Sequence, residues 1–318
     1  MSLLKAWVHT LRHEAQDIIS VALRPMPGEN LPAFEAGAHI DLHLPGGLIR
    51  SYSLANDCKE KDRYLLGILK DKASRGGSRC VHEQLRVGMT LTISAPRNNF
   101  PLHEEADHSV LIAGGIGVTP ILAMAQRLHA LGRSFEVVYL ARSQAAAAFC
   151  DALTALACPV HWHFDDQAGG PPKLQDLLAQ RAPKGNTHYY ACGPGMMLDA
   201  FEKFCAELGY THAHTERFSA VEVKAADDAR SHYSVDLRKS GVTFEVNSGT
   251  TLHKQLIALK VNVPFSCEEG FCGACETRVL EGTPDHRDMV LSAAEQASNQ
   301  VMMVCVSGCK SERLVLDL

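Results

Sequence analysis

No stretch of this chain is apolar and uninterrupted enough to cross a membrane. The N-terminal MSLLKAWVHTLRHEAQ also lacks the apolar core of a secretion signal. Charge of one sign is missing too: the formal net charge is −5 and no lysine or arginine run stands out, which argues against a nucleic-acid binder. Eleven cysteines are many, but the number is odd and most are scattered, so a disulfide framework is not indicated. What remains is 318 residues, 46% apolar and 21% charged, an ordinary globular composition with room for two or three domains. A cytoplasmic location is the expectation.

The most specific feature is the loop Pro264-Phe265-Ser266-Cys267-Glu268-Glu269-Gly270-Phe271-Cys272-Gly273-Ala274-Cys275, answered later by Cys305. The spacing is C-x4-C-x2-C, a long gap, then C. Four thiolates in that order form the plant-type [2Fe–2S] arrangement. Zinc sites usually pair cysteines as C-x2-C at both ends, and here the fourth thiol stands alone. Gly270, Gly273 and Ala274 let the backbone curl so that its N–H groups point at the sulfurs. A structural zinc and a set of buried free thiols are the competing readings.

Residues 1 to about 100 read as short strands, among them Trp7 to Leu11, Asp17 to Leu23 and the alternating His39 to Leu44, separated by turn residues. Such spacing predicts a small antiparallel barrel. Within it, Arg50-Ser51-Tyr52-Ser53-Leu54 places Arg50 and Tyr52 on one strand face and the serines on the other. An arginine, an aromatic ring and a hydroxyl so close together suit a flat, anionic, hydrogen-bonding ligand. Ser74-Arg75-Gly76-Gly77-Ser78, just before a short helix at Cys80 to Leu85, reads as a phosphate cradle.

From about residue 109 the pattern changes to alternating strands and helices. Ser109 to Ala113 is a continuous apolar run leading into Gly114-Gly115-Ile116-Gly117-Val118-Thr119-Pro120 and a helix at Ile121 to Leu131. Phe135 to Leu140, Val160 to Phe164 and Thr187 to Cys192 read as strands, and Gln144 to Leu156, Leu174 to Arg181 and Met196 to Leu208 as helices. This alternation predicts a doubly wound parallel sheet, with ligands at the carboxyl ends of its strands. The glycines after the first strand are not the usual G-x-G-x-x-G, and Glu136, at the distance of a ribose-holding acid, falls inside the next strand. Around Glu216-Arg217-Phe218 the sheet stops, and Ala225 to Ser231 reads as a linker. Strands at Tyr233 to Arg238 and Val242 to Val246, a helix at Leu252 to Leu259, the cysteine loop and later short strands complete a third, α+β part.

These three parts, in this order, resemble the phthalate dioxygenase reductase family, which includes vanillate demethylase reductase-like proteins. The resemblance rests on Arg50-Ser51-Tyr52-Ser53, Gly76-Gly77-Ser78, Gly114 to Pro120, Cys192-Gly193-Pro194 and the four cysteines. It implies an FMN-binding antiparallel β-barrel at 1–103, an NAD-binding α/β domain at 104–224 and a ferredoxin-like (β-grasp) [2Fe–2S] domain at 231–318. In that reading Arg50, Tyr52 and Ser53 line the FMN ring and ribityl chain. Ser74, Arg75, Gly76, Gly77 and Ser78 hold its phosphate, and Leu69 and Lys70 are further cofactor contacts. Gly114, Gly115, Gly117, Thr119 and Pro120 would lie under the nucleotide pyrophosphate, with Cys192, Gly193 and Pro194 beside the nicotinamide and Phe218 packed near the flavin. Cys267, Cys272, Cys275 and Cys305 would be the iron ligands, leaving Cys309 a spare thiol. NADH is the expected donor, although Arg142 and Ser143 could contact the 2′-phosphate of NADPH.

The implied function is a reductase that passes electrons from NADH through FMN and a [2Fe–2S] cluster to a separate Rieske-type oxygenase. Nicotinamide gives two electrons at once and the cluster accepts one, so a flavin must stand between them. No acid/base dyad is required, and most of the sixteen histidines read as structural or surface residues. No Rieske or non-haem iron pattern occurs in the chain, so the oxygenase would be another protein; Glu268, Glu269 and Glu276 could face it. A stand-alone flavin diaphorase or ferric reductase, and a non-catalytic iron–sulfur redox sensor, are the alternatives.

Overall fold

The computed structural model describes residues 3–72, 76–218, 229–247 and 250–318. It divides into two compact units, Met1–Phe218 and Ser219–Leu318. The phosphate-cradle residues Ser74 and Arg75, and most of the linker expected at 225–231, lie outside the described residues.

The first unit begins with β1 (Leu3–Ala15) and β2 (Ile18–Pro25), joined through a turn in which Asp17 takes the left-handed region at φ 60°. Aspartate tolerates that conformation better than most residues. After these come β3 (His39–Leu44), β4 (Leu48–Ser53), β5 (Tyr64–Leu69), α1 (Gly77–Gln84) and β6 (Thr90–Ser94). The strands form one antiparallel sheet in the order β4-β3-β6-β1-β2-β5, and a bridge between Leu54 and Leu66 brings its two ends together. That closure makes the expected barrel and removes the open sheet edges. Val8, Val21, Leu23, Ile40, Leu42, Leu66 and Ile93 fill the interior with no exposed surface. Burying each such side chain stabilises the fold by about 1.5–3 kcal/mol.

The rest of this unit holds β7 (His108–Gly114), α2 (Val118–Ala130), β8 (Phe135–Ala141), α3 (Cys150–Ala155), β9 (Val160–Phe164) and α4 (Asp165–Ala168). It continues through α5 (Leu174–Ala179), β10 (Thr187–Cys192), α6 (Gly195–Glu207) and β11 (Ala213–Glu216). All five strands are parallel, in the order β11-β10-β7-β8-β9. The chain order reverses between β7 and β10, which makes their carboxyl ends the topological switch point where such sheets take ligands.

One helix departs from expectation. The alanine-rich stretch 144–156 is not continuous. A single 3-10 turn at Gln144–Ala146 is followed by Phe149 in the left-handed region, and only Cys150–Ala155 is helical. The Tyr139 hydroxyl accepts the Ala148 N–H at 3.0 Å, which withdraws that backbone donor from a helix. The Phe149 ring packs so close to Gly67 of the barrel that a Cβ there would lie 2.7 Å from it. Local helix propensity loses to tertiary packing here.

The second unit contains β12 (Tyr233–Leu237), β13 (Val242–Val246), α7 (Leu252–Ala258), β14 (Glu276–Glu281) and β15 (Pro284–Asp285). It closes with α8 (Ala293–Ser298), β16 (Val301–Met303), β17 (Gly308–Cys309) and β18 (Arg313–Leu316). Its five-stranded sheet runs β13-β12-β18-β14-β16, with β12 and β18 parallel at the centre and antiparallel pairs outside. Leu252 and Leu256 of α7 share one core with Val235, Leu237 and Leu314 of the sheet. This is the α+β part read from sequence. The capped helix α8, started by a Ser292–Glu295 capping box, was not anticipated.

Candidate functional site

The cysteine loop of the second unit buries all four thiols: Cys267, Cys272 and Cys275 are each 3% exposed and Cys305 9%. Glu268 and Gly270 take positive φ, and a Cβ on Gly270 would meet Val306 at 2.7 Å, so the curl needs glycine at 270. The Glu269 N–H points at Cys267 Sγ at 3.3 Å and the Cys267 N–H at Cys272 Sγ at 3.4 Å. The sulfurs associate in two pairs. Cys272 beside it, then burial, push the Cys267 thiol up, and Cys275 followed by burial does the same for Cys305. Among the described residues no three of these sulfurs gather within 4.8 Å of one another. A single zinc would hold all four about 3.8 Å apart, so two pairs suit a binuclear cluster better. Cys309 stands apart: its thiol donates to the carbonyl oxygen of Ser311 at 3.2 Å and belongs to the β15–β17 pair. A cleft of about 320 Å³, lined in part by Tyr233, Thr251, Arg287 and Ser307, opens beside Cys305.

In the first unit, the turns after β7 and β10 press together. A Cβ on Gly117 would sit 2.1 Å from the Cys192 carbonyl oxygen, and one on Gly193 would sit 2.9 Å from Gly114 Cα. No side chain fits between these turns, so they offer a ligand backbone groups at the switch point. Gly115 takes φ 55°, which favours glycine. Thr119 and Pro120 lie in the first turn of α2 but are buried. The Thr119 hydroxyl donates to Ile116 O at 3.1 Å and its methyl packs on Gly67 of the barrel. Pro194 caps the start of α6 and packs on Gly114.

On the barrel side, Arg50 lies across the start of α1: a Cβ on Gly77 would meet its Cγ at 2.5 Å and its Nε at 2.7 Å. Gly76 precedes it with φ 95°. A guanidinium laid over glycine-fed N–H groups fits a phosphate. The Asp71 N–H donates to Ser78 Oγ at 3.2 Å. Lys70 pairs with Glu83 of α1 at 3.0 Å, and Leu69 ends β5 half-buried. Tyr52 stands half-buried one pleat along from Arg50, and burial pushes its hydroxyl up.

Ser53 points the other way. Its hydroxyl donates to Glu216 Oε2 at 3.1 Å, 163 residues on, at the end of β11. Glu216 pairs in register with Cys192. Burial pushes the Glu216 carboxyl up to about 8, with the Ser53 hydroxyl pulling the other way, and the fully buried Cys192 thiol is pushed up by burial and by Glu216. Phe218, two residues further, is 38% exposed. The barrel strand that carries Arg50 and Tyr52 therefore meets the carboxyl ends of β10 and β11 through a neutral, hydrogen-bonded cluster.

Residues 235–310 match the model of the 2Fe-2S iron-sulfur cluster binding domain, and residues 91–215 match the N-terminal domain of dimethylamine monooxygenase subunit DmmA-like proteins. Phenoxybenzoate dioxygenase subunit beta of Ectopseudomonas oleovorans is 45% identical over 98% of this chain and 96% of its own length. Tetrachlorobenzoquinone reductase of Sphingobium chlorophenolicum is 45% identical over 100% of this chain and 99% of its own. The structure of phthalate dioxygenase reductase, described as a modular structure for electron transfer from pyridine nucleotides to [2Fe-2S], superposes with TM-score 0.73 at 36% identity, covering 100% of this chain and 98% of that one. The chain belongs to the phthalate dioxygenase reductase family. It is an oxidoreductase built of a flavin-type barrel, a nucleotide-type parallel sheet and a [2Fe–2S] ferredoxin part. It also matches, at TM-score 0.90 and 37% identity, 41% of the length of an intact type IV self-sufficient cytochrome P450 monooxygenase.

Within this reductase fold, Glu216 is the residue that sequence reasoning passed over. Its strand, β11 (Ala213–Glu216), carries no apolar pattern, so nothing local in the sequence marks it as more than the end of the sheet. Glu136, by contrast, is held by the Arg181 guanidinium and by the His161 ring, each at 2.9 Å, which leaves it no ribose-holding role. Arg142 is exposed after β8.

Proposed function

We propose that this reductase takes electrons from NADH and delivers them, through FMN and a [2Fe–2S] cluster, to a separate Rieske-type oxygenase. The observation that carries the reading is the convergence of Ser53, Cys192 and Glu216 where the barrel strand β4 meets the switch point of the sheet. The reading divides the chain near 103/104 and around 224–231, whereas the compact units part at 218/219. Arg50 and the first turn of α1, with Gly76, Gly77 and Ser78, would hold the FMN phosphate. Tyr52, Ser53, Leu69, Lys70 and Phe218 would border its ring and side chain. The backbone of Gly114 to Pro120 would cradle the nucleotide pyrophosphate, and Cys192, Gly193 and Pro194 would border the nicotinamide. Cys267 with Cys272, and Cys275 with Cys305, would each hold one iron; iron binding displaces the thiol protons that burial favours in the free protein.

The bound flavin supplies the chemistry of accepting a hydride and releasing electrons singly. The chain's residues position and shield that step. Gly117 and Gly193 allow the close backbone approach, while Ser53 and the neutral Glu216 provide polar contacts without a fixed negative charge. Glu268 on the cluster loop and Glu276 at the start of β14, both exposed, suit docking to a basic oxygenase surface. A reducing, cytoplasmic location accords with eleven cysteines, none of them in a disulfide, and no helix among the described residues is long and apolar enough to cross a membrane.

The test is anaerobic titration of the purified holoprotein with NADH, followed by visible absorbance and low-temperature EPR. Bleaching of the flavin band together with a rhombic [2Fe–2S] signal is expected. Flavin bleaching without that signal overturns the route. A second reading, reduction of a small quinone, is favoured by the name of the Sphingobium relative. Benzoquinone turnover that persists in a cluster-free variant would support it.

A further inference from the structure

We propose that His103, His188 and His214 form a binding site for one divalent transition-metal ion of the zinc and copper class, at the amino ends of β10 and β11. The site is separate from the proposed flavin and nucleotide sites. It lies at the opposite end of the sheet strands from the switch point.

The pairing of the two strands assembles it. β10 and β11 run parallel with Tyr190 opposite His214, so alternation along each strand puts His188, Tyr190, His212 and His214 on one face. The His188 and His212 rings stack with centroids 4.4 Å apart and planes within 3°. His103 arrives from the segment before β7. Its backbone N–H donates to the Tyr190 hydroxyl at 2.9 Å, which seats the ring over this face, stacked on His214 with centroids 5.0 Å apart.

One nitrogen from each of His103, His188 and His214 lies within 4.8 Å of the others. His188 Nδ1 is 3.0 Å from His214 Nε2. Two imidazoles on one tetrahedral zinc, each bound at about 2.0–2.1 Å, hold their nitrogens about 3.3 Å apart, so this pair is close to ligating geometry already. Asn186 adds a supporting contact. Its Oδ1 lies 3.2 Å from His188 Nε2, and an amide oxygen can only accept there. With Nε2 donating to Asn186, His188 turns its Nδ1 lone pair toward His214, whose Nε2–H donates to it in the metal-free protein; an ion would take the place of that proton. A hydrogen bond on the far nitrogen is the usual way a metal-binding histidine is oriented.

The donor set selects the metal. Three imidazoles without a carboxylate suit zinc, copper or nickel, and offer little to magnesium or calcium. An ion here would tie the segment leading into β7 to the edge of the sheet. Cys192 lies four residues along β10, on the order of 13 Å away, so the ion would brace the strands rather than touch the reaction.

Equilibrium dialysis of oxidised, EDTA-washed holoprotein against Zn²⁺, with metal analysis, tests the proposal. One zinc per chain beyond the cluster iron is expected, with a Kd in the micromolar range or below. His103→Ala removes an exposed ring and should weaken binding at least tenfold. Asn186→Ala should weaken it about 10–100-fold. His129→Ala, outside the cluster, should change nothing. Because His188 is buried within β10 and its replacement perturbs the strand, one equivalent of Cu²⁺ on the wild type gives a second readout, in which EPR hyperfine structure from imidazole nitrogens is expected. Absence of stoichiometric zinc, or equal retention by wild type and His103→Ala, overturns the site. So does a copper signal unchanged by His103→Ala.

Discussion

Replacing Glu216 by glutamine should remove a pH-dependent step near 8 from flavin reduction. The carboxyl is held at about 8 against an ordinary value of 4.5 by burial, opposed by the Ser53 hydroxyl at 3.1 Å. At 1.36 kcal/mol per pH unit, that difference corresponds to at most about 5 kcal/mol favouring the neutral form, less whatever solvent screens. At pH 7 roughly nine in ten molecules then carry a neutral Glu216. Above 8 an anion appears where β4 meets β10 and β11. Stopped-flow reduction by NADH between pH 6 and 9.5 should show one inflection close to 8, flat in Glu216→Gln. Ser53→Ala removes the bond that lowers the value, so its inflection should move higher. A hydrogen bond to a charged group is worth about 1.5–3 kcal/mol, or roughly 1–2 pH units.

Stability gives an independent reading of the same group. Its folded-state value is raised, so between 4.5 and 8 the native protein keeps a proton that the unfolded chain has lost. The stabilisation is fully present below 4.5, declines by up to about 1.4 kcal/mol per pH unit across that window, and levels off above 8. The difference in thermal midpoint between wild type and Glu216→Gln should therefore shrink or reverse as pH rises from 5 to 9. A difference constant over that range, with an inflection near 8 surviving in Glu216→Gln, would refute the reasoning.

Gly117→Ala should be among the most damaging single changes in the sheet, because its Cβ would meet backbone 2.1 Å away. A loss of about 1–3 kcal/mol or more in stability and at least tenfold in NADH affinity is expected by calorimetry and fluorescence titration. Gly77→Ala meets the flexible Arg50 side chain instead, so the fold should hold while the flavin-to-protein ratio falls, read from the visible spectrum. Cys272→Ser should abolish the [2Fe–2S] EPR signal, whereas Cys309→Ser should leave iron content unchanged, because that thiol bonds to Ser311 O away from the four-sulfur group. Glu268→Gln with Glu276→Gln should raise the apparent KM for the oxygenase at low salt only; a variant KM equal to the wild type's at 20 mM salt counts against docking through this loop.

The elements that could be read from sequence were those whose signal is local. His39–Leu44, Val160–Phe164, Thr187–Cys192 and Val242–Val246 each carry a strand's own apolar pattern and a turn at their ends, and each has the expected bounds. The cysteine loop was legible for the same reason: three of its thiols and the glycines that curl it lie within nine consecutive residues. The helix expected over 144–156 failed where a distant hydroxyl, Tyr139, captured a backbone group that local propensity had assigned to the helix. Glu216 and the histidines belong to a third class. Ala213–Glu216 is an edge strand with nothing apolar to announce it, yet its register against β10 sets Glu216 beside Cys192 and His214 beside His188. One short strand thus carries the Ser53-bonded Glu216 at its carboxyl end and part of a histidine cluster at its amino end. Those groups acquire their chemistry from pairing across the sheet. Motif spacing marks where a cofactor would bind; the buried polar groups beside that place come from strands brought together over long stretches of chain, as the 163 residues between Ser53 and Glu216 make plain.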